Sequence, residues 1–92
     1  MIEIKINPEE SRVEAIDDGK IIGLCEYKIK GHVLDVYHTE VDSAYGGRGL
    51  AKKLLDQVVA YARAENKKIY PTCSYVEKKF DEDRHYRDVD AR

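Results

Sequence analysis

Residues 41–51 have the sequence VDSAYGGRGLA and connect a predicted strand to the strongest predicted helix. Gly46, Gly47 and Gly49 allow positive φ angles and let a ligand approach the backbone closely. A glycine-rich loop that opens directly into a helix presents free N–H groups at the positive end of the helix dipole. This arrangement predicts a phosphate or pyrophosphate site; the alternative is a turn that only starts the helix.

Basic residues follow the glycines closely. Arg48, Lys52 and Lys53 favour an anion with more than one phosphate. The common nucleotide-binding loops fit poorly, however. A Walker loop requires Gly-Lys-Ser/Thr, whereas Lys52 follows Ala51, and Lys52 also stands where a GxGxxG loop has its third glycine.

An amphipathic helix is predicted after the loop, because apolar residues recur at three- and four-residue spacing with charged residues between them. The apolar stripe consists of Leu50, Ala51, Leu54, Leu55, Val58, Val59 and Ala62. Asn66 is a predicted stop for this helix. A short strand is predicted at 68–72, and the helical crossover requires it to run parallel to an earlier strand.

The first part of the chain has the alternating pattern of β structure. Strands are predicted at 2–6, 13–16, 20–29 and 32–41, with Asp18-Gly19 as a hairpin turn. Connections this short require antiparallel neighbours. In the last of these strands, strict alternation puts Leu34, Val36, His38 and Glu40 on one face and Thr39 and Val41 on the other.

A second, weaker helix is predicted from Ser74, as its cap, to about Asp83, with Val76 and Phe80 as apolar contacts. Residues 1–84 then form one domain, because 92 residues are too few for two cores. Residues 85–92 are a charged tail, either frayed or docked through its few apolar groups.

Composition excludes several classes of protein. The net charge of −2 gives no electrostatic reason to expect a nucleic-acid ligand. No apolar run approaches the ~18 residues of a membrane helix, and residues 2–6 lack the apolar block of a secretory signal. Cys25 and Cys73 lack the close pairing of zinc ligands, so no metal is expected and both are predicted to be free thiols. A cytoplasmic location is therefore expected.

The loop resembles the acyl-CoA loop of the GCN5-related N-acetyltransferases (GNAT), approximately Val-x-Pro-x-x-Gln/Arg-Gly-x-Gly-Ile/Leu-Gly/Ala. The sequence matches at Val41, Gly47, Gly49, Leu50 and Ala51, and it departs from the motif at Ser43 and Gly46. His38-Thr39 and the segment PTCSY at 71–75 resemble a small stand-alone subfamily. With the order of elements, the resemblance covers nearly the whole chain.

The resemblance implies an α+β, minimal GNAT-like fold. Its sheet is mixed and mostly antiparallel, with a parallel pair splayed at the cofactor site, one long helix and one short helix. It also implies acetyl-CoA as co-substrate. The implied cofactor-binding residues are Thr39, Val41, Gly46, Gly47, Arg48, Gly49, Leu50, Ala51 and Lys52.

Catalytic roles are open to three residues. His38 and Glu40 are candidate bases, and the alternatives are a core histidine and a solvated carboxylate. Cys73 begins a predicted helix, where the dipole favours a thiolate, so it is a candidate proton donor to CoA or acceptor of the acetyl group; the alternative is packing. Cys25 is interpreted as a core residue. Phe80 stands where full-size relatives commonly place a tyrosine acid, and Tyr75 is an outside candidate for that role.

The predicted activity is acetyl transfer to an unidentified amine. The alternatives are a non-catalytic acyl-CoA sensor or interaction module, and a scaffold for another phosphorylated ligand. Asp18-Gly19 joins two strands where full-size relatives insert the helices that shape the acceptor pocket. The acceptor side is therefore expected to be open, which favours a macromolecular acceptor or a partner subunit. Exposed edge strands leave a monomer and a weak homodimer both open.

Overall fold

The computed structural model describes residues 1–92 as five strands, two α-helices and two short 3-10 helices. The strands are β1 (Ile2–Asn7), β2 (Arg12–Asp17), β3 (Lys20–Lys30), β4 (Val33–Val41) and β5 (Lys68–Pro71). The α-helices are α1 (Leu50–Ala64) and α2 (Ser74–Glu82), and the 3-10 helices are Ser43–Tyr45 and Arg84–Val89. No helix combines the length and the apolar character needed to cross a bilayer.

The strands form one sheet in the order β1-β2-β3-β4-β5. The first four pair antiparallel through short connections, and β5 pairs parallel with β4 after the crossover through α1. This confirms the predicted mixed, mostly antiparallel sheet. Asp18 and Gly19 both have positive φ, as the predicted hairpin turn requires.

The parallel pair separates before β4 ends. Pairing between β4 and β5 stops at Val36 and Pro71, and the Cys73 N–H then donates to the Val36 carbonyl at 2.9 Å. From Tyr37 to Val41, β4 continues without a partner on this side. We call the resulting gap the β4–β5 cleft.

A bulge in β4 corrects the predicted assignment of faces. Tyr27 pairs with Val36, but the preceding residue of β3, Glu26, pairs with His38, so Tyr37 is an extra residue in β4. An extra residue reverses the alternation that follows it. His38 and Glu40 therefore do not share the face of Leu34 and Val36, as strict alternation predicted.

Helices lie on one face of the sheet only. Eighteen buried residues from the strands, both α-helices and the C-terminal 3-10 helix form a single core on this helix face. The α1 stripe is confirmed at six of its seven positions, since Leu50, Leu54, Leu55, Val58, Val59 and Ala62 are buried, whereas Ala51 is half-buried. We call the opposite, uncovered side of the sheet the open face.

Specific backbone conformations mark the C-terminal end of α1 and the N-terminal end of α2. Asn66, with φ 54°, ends α1, and the Lys67 N–H donates to the Ala62 carbonyl at 2.8 Å, as in a Schellman motif. In α2 the predicted cap is off by one residue. Cys73 occupies the N-cap position, because Ser74 is already helical.

Of the two alternatives for the C-terminal segment, the structure has the docked one. Tyr86 and Val89 are only 1 % and 2 % exposed, and the Tyr86 ring stacks on Phe80 with centroids 5.1 Å apart. Ile69 also forms an isolated parallel bridge with Asp90. The C-terminal segment has few apolar residues, but Tyr86 and Val89 are buried and hold it against the rest of the domain.

Candidate active site

Two of the three glycines in the loop have the positive φ that a glycine-rich loop predicts. Gly47 and Gly49 have φ of 78° and 70°, whereas Gly46 has φ −63°, which any residue adopts. A Cβ added at Gly47 or Gly49 would meet no atom within 4 Å. The two left-handed glycines thus border open space that a ligand can enter.

The N–H groups from Gly47 to Lys52 donate to no backbone or side-chain acceptor of the chain, whereas Lys53 N–H is the first to reach a carbonyl, that of Gly49. These donors belong to the loop and the first turn of α1, where the helix dipole favours an anion. A shallow depression of about 140 Å³ is lined by Val41, Tyr45 and residues 46–51. Since the donors have no internal acceptor, the loop suits a pyrophosphate.

Arg48 is positioned by contacts that the sequence did not predict. Its guanidinium lies 5.1 Å from the centre of the Tyr45 ring, and the Tyr45 hydroxyl donates to Asp17 Oδ2 at 2.6 Å. This hydrogen bond lowers the pKa of Asp17 and raises that of Tyr45. Asp17 lies 28 positions before Tyr45, so no local pattern indicates the pair.

The basic residues of the loop are not equivalent. Lys52 Nζ donates to Asp56 Oδ2 at 2.7 Å, and Asp56 Oδ1 accepts from the Tyr86 hydroxyl at 2.5 Å. Arg48 and Lys53 form no ion pair. Arg48 and Lys53 therefore have no carboxylate within ion-pair distance, whereas the Lys52 ammonium is paired with Asp56 at the exposed surface.

His38 and Glu40 form a pair on the open face, beside the β4–β5 cleft. His38 Nε2 lies 2.7 Å from Glu40 Oε1, and the two side chains are 46 % and 62 % exposed. This exposure overturns the alternative of a core histidine. When the Nε2–H donates to Glu40, the imidazole keeps a free lone pair on Nδ1 that can accept a proton.

Thr39 and the two cysteines lie on the helix face. Thr39 Oγ1 donates to Cys25 Sγ at 3.4 Å and accepts from Cys73 Sγ at 3.7 Å. Burial raises the pKa of Cys25 to about 11, and Cys25 is a core residue, as predicted. Cys73 is half-buried at the start of α2. It is in no contact with His38, because the two lie on opposite faces of β4.

Neither aromatic residue of α2 is an exposed acid. Phe80 is buried against Tyr86. Tyr75 is half-buried beside Lys79 Nζ, 5.7 Å from the ring centre, and burial raises its pKa. Cys73, whose Sγ donates to Thr39 Oγ1 at 3.7 Å, is therefore the remaining candidate proton donor on the helix face. The structure holds no group of three or more His, Cys, Asp or Glu residues placed to bind a metal ion.

The sequence that forms this site matches a known family. A family model described as GCN5-related N-acetyl-transferase matches residues 12–89. The chain belongs to the GCN5-related N-acetyltransferase family. The match includes β2 to β5, the loop, α1 and α2, so the GNAT resemblance is confirmed for residues 12–89, and β1 lies outside the match.

The proteins to which this chain is similar include both curated sequences and solved structures. Protein NATD1 from chicken and from human is 42 % identical over 55 residues, which is 60 % of this chain and 49 % and 48 % of theirs. The chain thus spans about half the length of these curated relatives. A GCN5-like protein from Staphylococcus aureus, solved by NMR, superposes with a TM-score of 0.75 at 31 % identity, covering 95 % of this chain and 85 % of that one.

A more distant GNAT structure shows the fold with coenzyme A. The PaiA N-acetyltransferase of Thermoplasma acidophilum, in complex with coenzyme A, has a TM-score of 0.61 at 17 % identity. The match covers 77 % of this chain and 48 % of that chain. At this identity the likeness establishes the shared fold alone.

Proposed function

We propose that this chain binds acetyl-CoA and transfers the acetyl group to an amine. The observation that carries the proposal is the row of N–H groups from Gly47 to Lys52, which have no acceptor within the chain and lie at the start of α1. Family membership and the coenzyme A complex of the PaiA relative support CoA as the ligand. Two free thiols fit a reducing compartment, so a cytoplasmic location is part of the proposal.

The proposed CoA site extends from the loop into the β4–β5 cleft. The N–H groups of the loop hold the pyrophosphate, and Arg48 and Lys53 supply positive charge. Thr39 and Val41 lie on the stretch of β4 that has no partner in β5, where strand-like hydrogen bonds with the pantetheine amides are available. The ligand supplies an acetyl thioester, whose reactive end then lies between β4 and β5.

The proposed base is the His38–Glu40 pair. An amine acceptor at neutral pH is an ammonium ion and must lose a proton before its nitrogen can attack the thioester carbonyl. His38 Nδ1 accepts that proton. The Glu40 carboxylate, 2.7 Å from Nε2, fixes the tautomer and stabilises the imidazolium that forms.

Cys73 is the proposed partner of the departing sulfur. As the C–S bond of the thioester breaks, the CoA thiolate requires a proton, and the Cys73 thiol can donate it from the helix side of the cleft. The second role open to Cys73 is direct attack: the thiol gives up its proton, Sγ bonds to the acetyl carbon as the C–S bond to CoA breaks, and the departing CoA thiolate takes up the proton, after which the acetyl group passes from Sγ to the amine. Cys73 lies on the helix face of β4 and His38 on the open face. In both roles of Cys73, the acetyl thioester therefore has to lie between these two residues.

A non-catalytic acyl-CoA-binding module is the second candidate function. The specific observation in its favour is Phe80, buried where full-size relatives commonly carry a tyrosine acid. Under this alternative the loop binds acetyl-CoA, but no acceptor is acetylated.

An acetyl-transfer assay with matched variants separates the two functions. The protein is incubated with acetyl-CoA and a panel of amines and lysine peptides, and both CoA release and acetylated product are measured. His38→Gln is expected to lower kcat at neutral pH by about 100-fold, the usual contribution of a positioned base, without changing the KM for acetyl-CoA. Cys73→Ser, Cys73→Ala and mass spectrometry of Cys73 separate proton donation from acetyl capture.

His32→Gln, an exposed histidine in the β3–β4 turn, is the control and is expected to retain full activity. Equal rates in the His38 and Cys73 variants and the wild type would overturn the assigned roles. Saturable acetyl-CoA binding with no product from any amine would favour the non-catalytic module.

A further inference from the structure

The open face has a depression directly below the β4–β5 cleft. Its volume is about 370 Å³, and it is lined by Lys30, Val33, Asp35, Tyr70 and Thr72. Asp35 pairs with Tyr70 one step before the last β4–β5 pair, Val36 with Pro71. The depression therefore lies beside the end of the β4–β5 pairing, on the same face of the sheet as His38.

The two charged residues of the depression, Lys30 and Asp35, are bonded to each other. Asp35 accepts hydrogen bonds from the Thr72 hydroxyl and from Lys30 Nζ, the latter at 3.0 Å, and these contacts lower its pKa. The carboxylate and the ammonium thus form an ion pair, in which the Lys30 side chain is 64 % exposed and the Asp35 side chain 16 % exposed. What remains available is the ring of Tyr70, which is 49 % exposed, together with the half-buried Val33.

A second exposed tyrosine lies between the depression and the base. Tyr37, the extra residue of the bulge, is 38 % exposed, and Lys28 Nζ lies 4.9 Å from the centre of its ring. Tyr37 and Tyr70 are the only aromatic residues among the exposed large hydrophobic side chains. Exposed tyrosines near a reactive group offer flat apolar surface at low entropic cost.

The strand spacing gives a distance along this surface. Asp35 and His38 are three positions apart, and one of those is the bulge residue, so they are separated by about 7–10 Å at 3.3 Å per residue. Any acceptor must bring its amine nitrogen to His38. Because Tyr70 pairs with Asp35 on the neighbouring strand, a group packed on the Tyr70 ring lies about 7–10 Å along the strand direction from an amine nitrogen at His38.

We infer that the acceptor is a primary amine carrying an aromatic group about 7–10 Å from its nitrogen, with that group packed on Tyr70 in the depression. This inference rests on the proposed acetyl transfer and adds the class of acceptor. The same chemistry is present in a free arylalkylamine and in a peptide lysine with an aromatic neighbour.

The experiment measures acceptor selectivity. Acetyl transfer is followed with phenylalkylamines of increasing chain length, with alkylamines of matched length that lack the ring, and with lysine peptides with and without an adjacent tyrosine. The ring is expected to raise kcat/KM, with a maximum at a ring-to-nitrogen distance of about 7–10 Å. A larger increase in kcat/KM among the phenylalkylamines indicates a free arylalkylamine as acceptor, and a larger increase among the peptides indicates a peptide lysine.

Variants at Tyr70 test whether the selectivity for a ring-bearing amine depends on this side chain. Tyr70→Ala is expected to lower kcat/KM for the ring-bearing amine about tenfold, while the ring-free amine and the KM for acetyl-CoA are unchanged. Tyr70→Phe keeps the ring and is expected to retain the selectivity. Ile29→Ala, an exposed apolar residue that pairs with Leu34 toward the helix face, is the matched control.

A direct binding measurement keeps this inference separate from the proposed activity. Titrating the preferred amine into CoA-saturated protein is expected to shift the amide NMR signals of Asp35 and Tyr70, whether or not acetyl is transferred. Transfer that is equally fast with and without the ring, and unaffected by Tyr70→Ala, would overturn the inference and leave acetyl transfer intact. Absence of both ring-dependent transfer and these shifts would also overturn it.

Discussion

Replacing Gly49 by alanine tests whether the left-handed start of α1 forms the anion site. Gly49 is the N-cap of α1 with φ 70° and ψ 22°. Alanine in this conformation costs about 1–2 kcal/mol, and no steric term adds to it because the new Cβ meets no atom within 4 Å. For a domain of this size, that loss lowers Tm by about 4–16 °C.

The same substitution is expected to weaken acetyl-CoA binding. Relief of the strain rotates the peptide groups beside Gly49, and at least one N–H then no longer points toward the anion. A hydrogen bond to a charged group is worth about 1.5–3 kcal/mol, which corresponds to a Kd increase of about 10- to 150-fold. Thermal denaturation with and without acetyl-CoA measures both effects, because ligand binding raises Tm according to the ratio of ligand concentration to Kd.

Gly46→Ala is the matched control in the same loop. Gly46 has an ordinary φ of −63°, and an added Cβ would lie 3.4 Å from the Ser43 carbonyl oxygen, an ordinary contact. Its Tm is expected to be unchanged or slightly raised, since alanine restricts the unfolded chain by about 0.4–1 kcal/mol. If both variants have the same Tm and the same acetyl-CoA-induced shift, the reasoning about the loop is refuted.

Two further predictions concern the C-terminal segment and the buried thiol. Ending the chain at Asp83 removes the buried side chains of Tyr86 and Val89, each worth about 1.5–3 kcal/mol, so the urea midpoint should fall steeply; an unchanged midpoint would mean that the segment is not docked. Cys25, with its pKa raised to about 11, should resist alkylation at pH 8 while Cys73 reacts, as measured by mass spectrometry. Because the unfolded thiol ionises near its ordinary value of 9.0, stability should decline between about pH 9 and 11, and equal labelling of both cysteines would contradict this burial.

Local patterns predicted most of the fold. The glycine loop, the α1 stripe and the Asp18-Gly19 hairpin each depend on residues that are close in sequence, and each was confirmed. The parallel direction of β5 followed from the helical crossover alone. These features need no knowledge of distant contacts.

The bulge at Tyr37 was not predictable, and it decides the faces of the candidate site. An extra residue in a strand leaves no mark in composition or periodicity, yet it moves His38 and Glu40 to the open face and Thr39 to the side of Cys73. The pairing of Asp17 with Tyr45 was missed for a related reason, since it joins a hairpin to a loop across 28 positions. Long-range contacts of this kind appear only once the strand register is known.

An amide NMR titration with acetyl-CoA tests the central claim, that the loop at the start of α1 binds the pyrophosphate of CoA. We predict saturable shifts of the signals from Gly47 to Lys52, whose N–H groups have no acceptor in the chain, and of Thr39 and Val41 at the β4–β5 cleft. Absence of saturation at millimolar ligand, or shifts confined to other parts of the chain, would contradict the account.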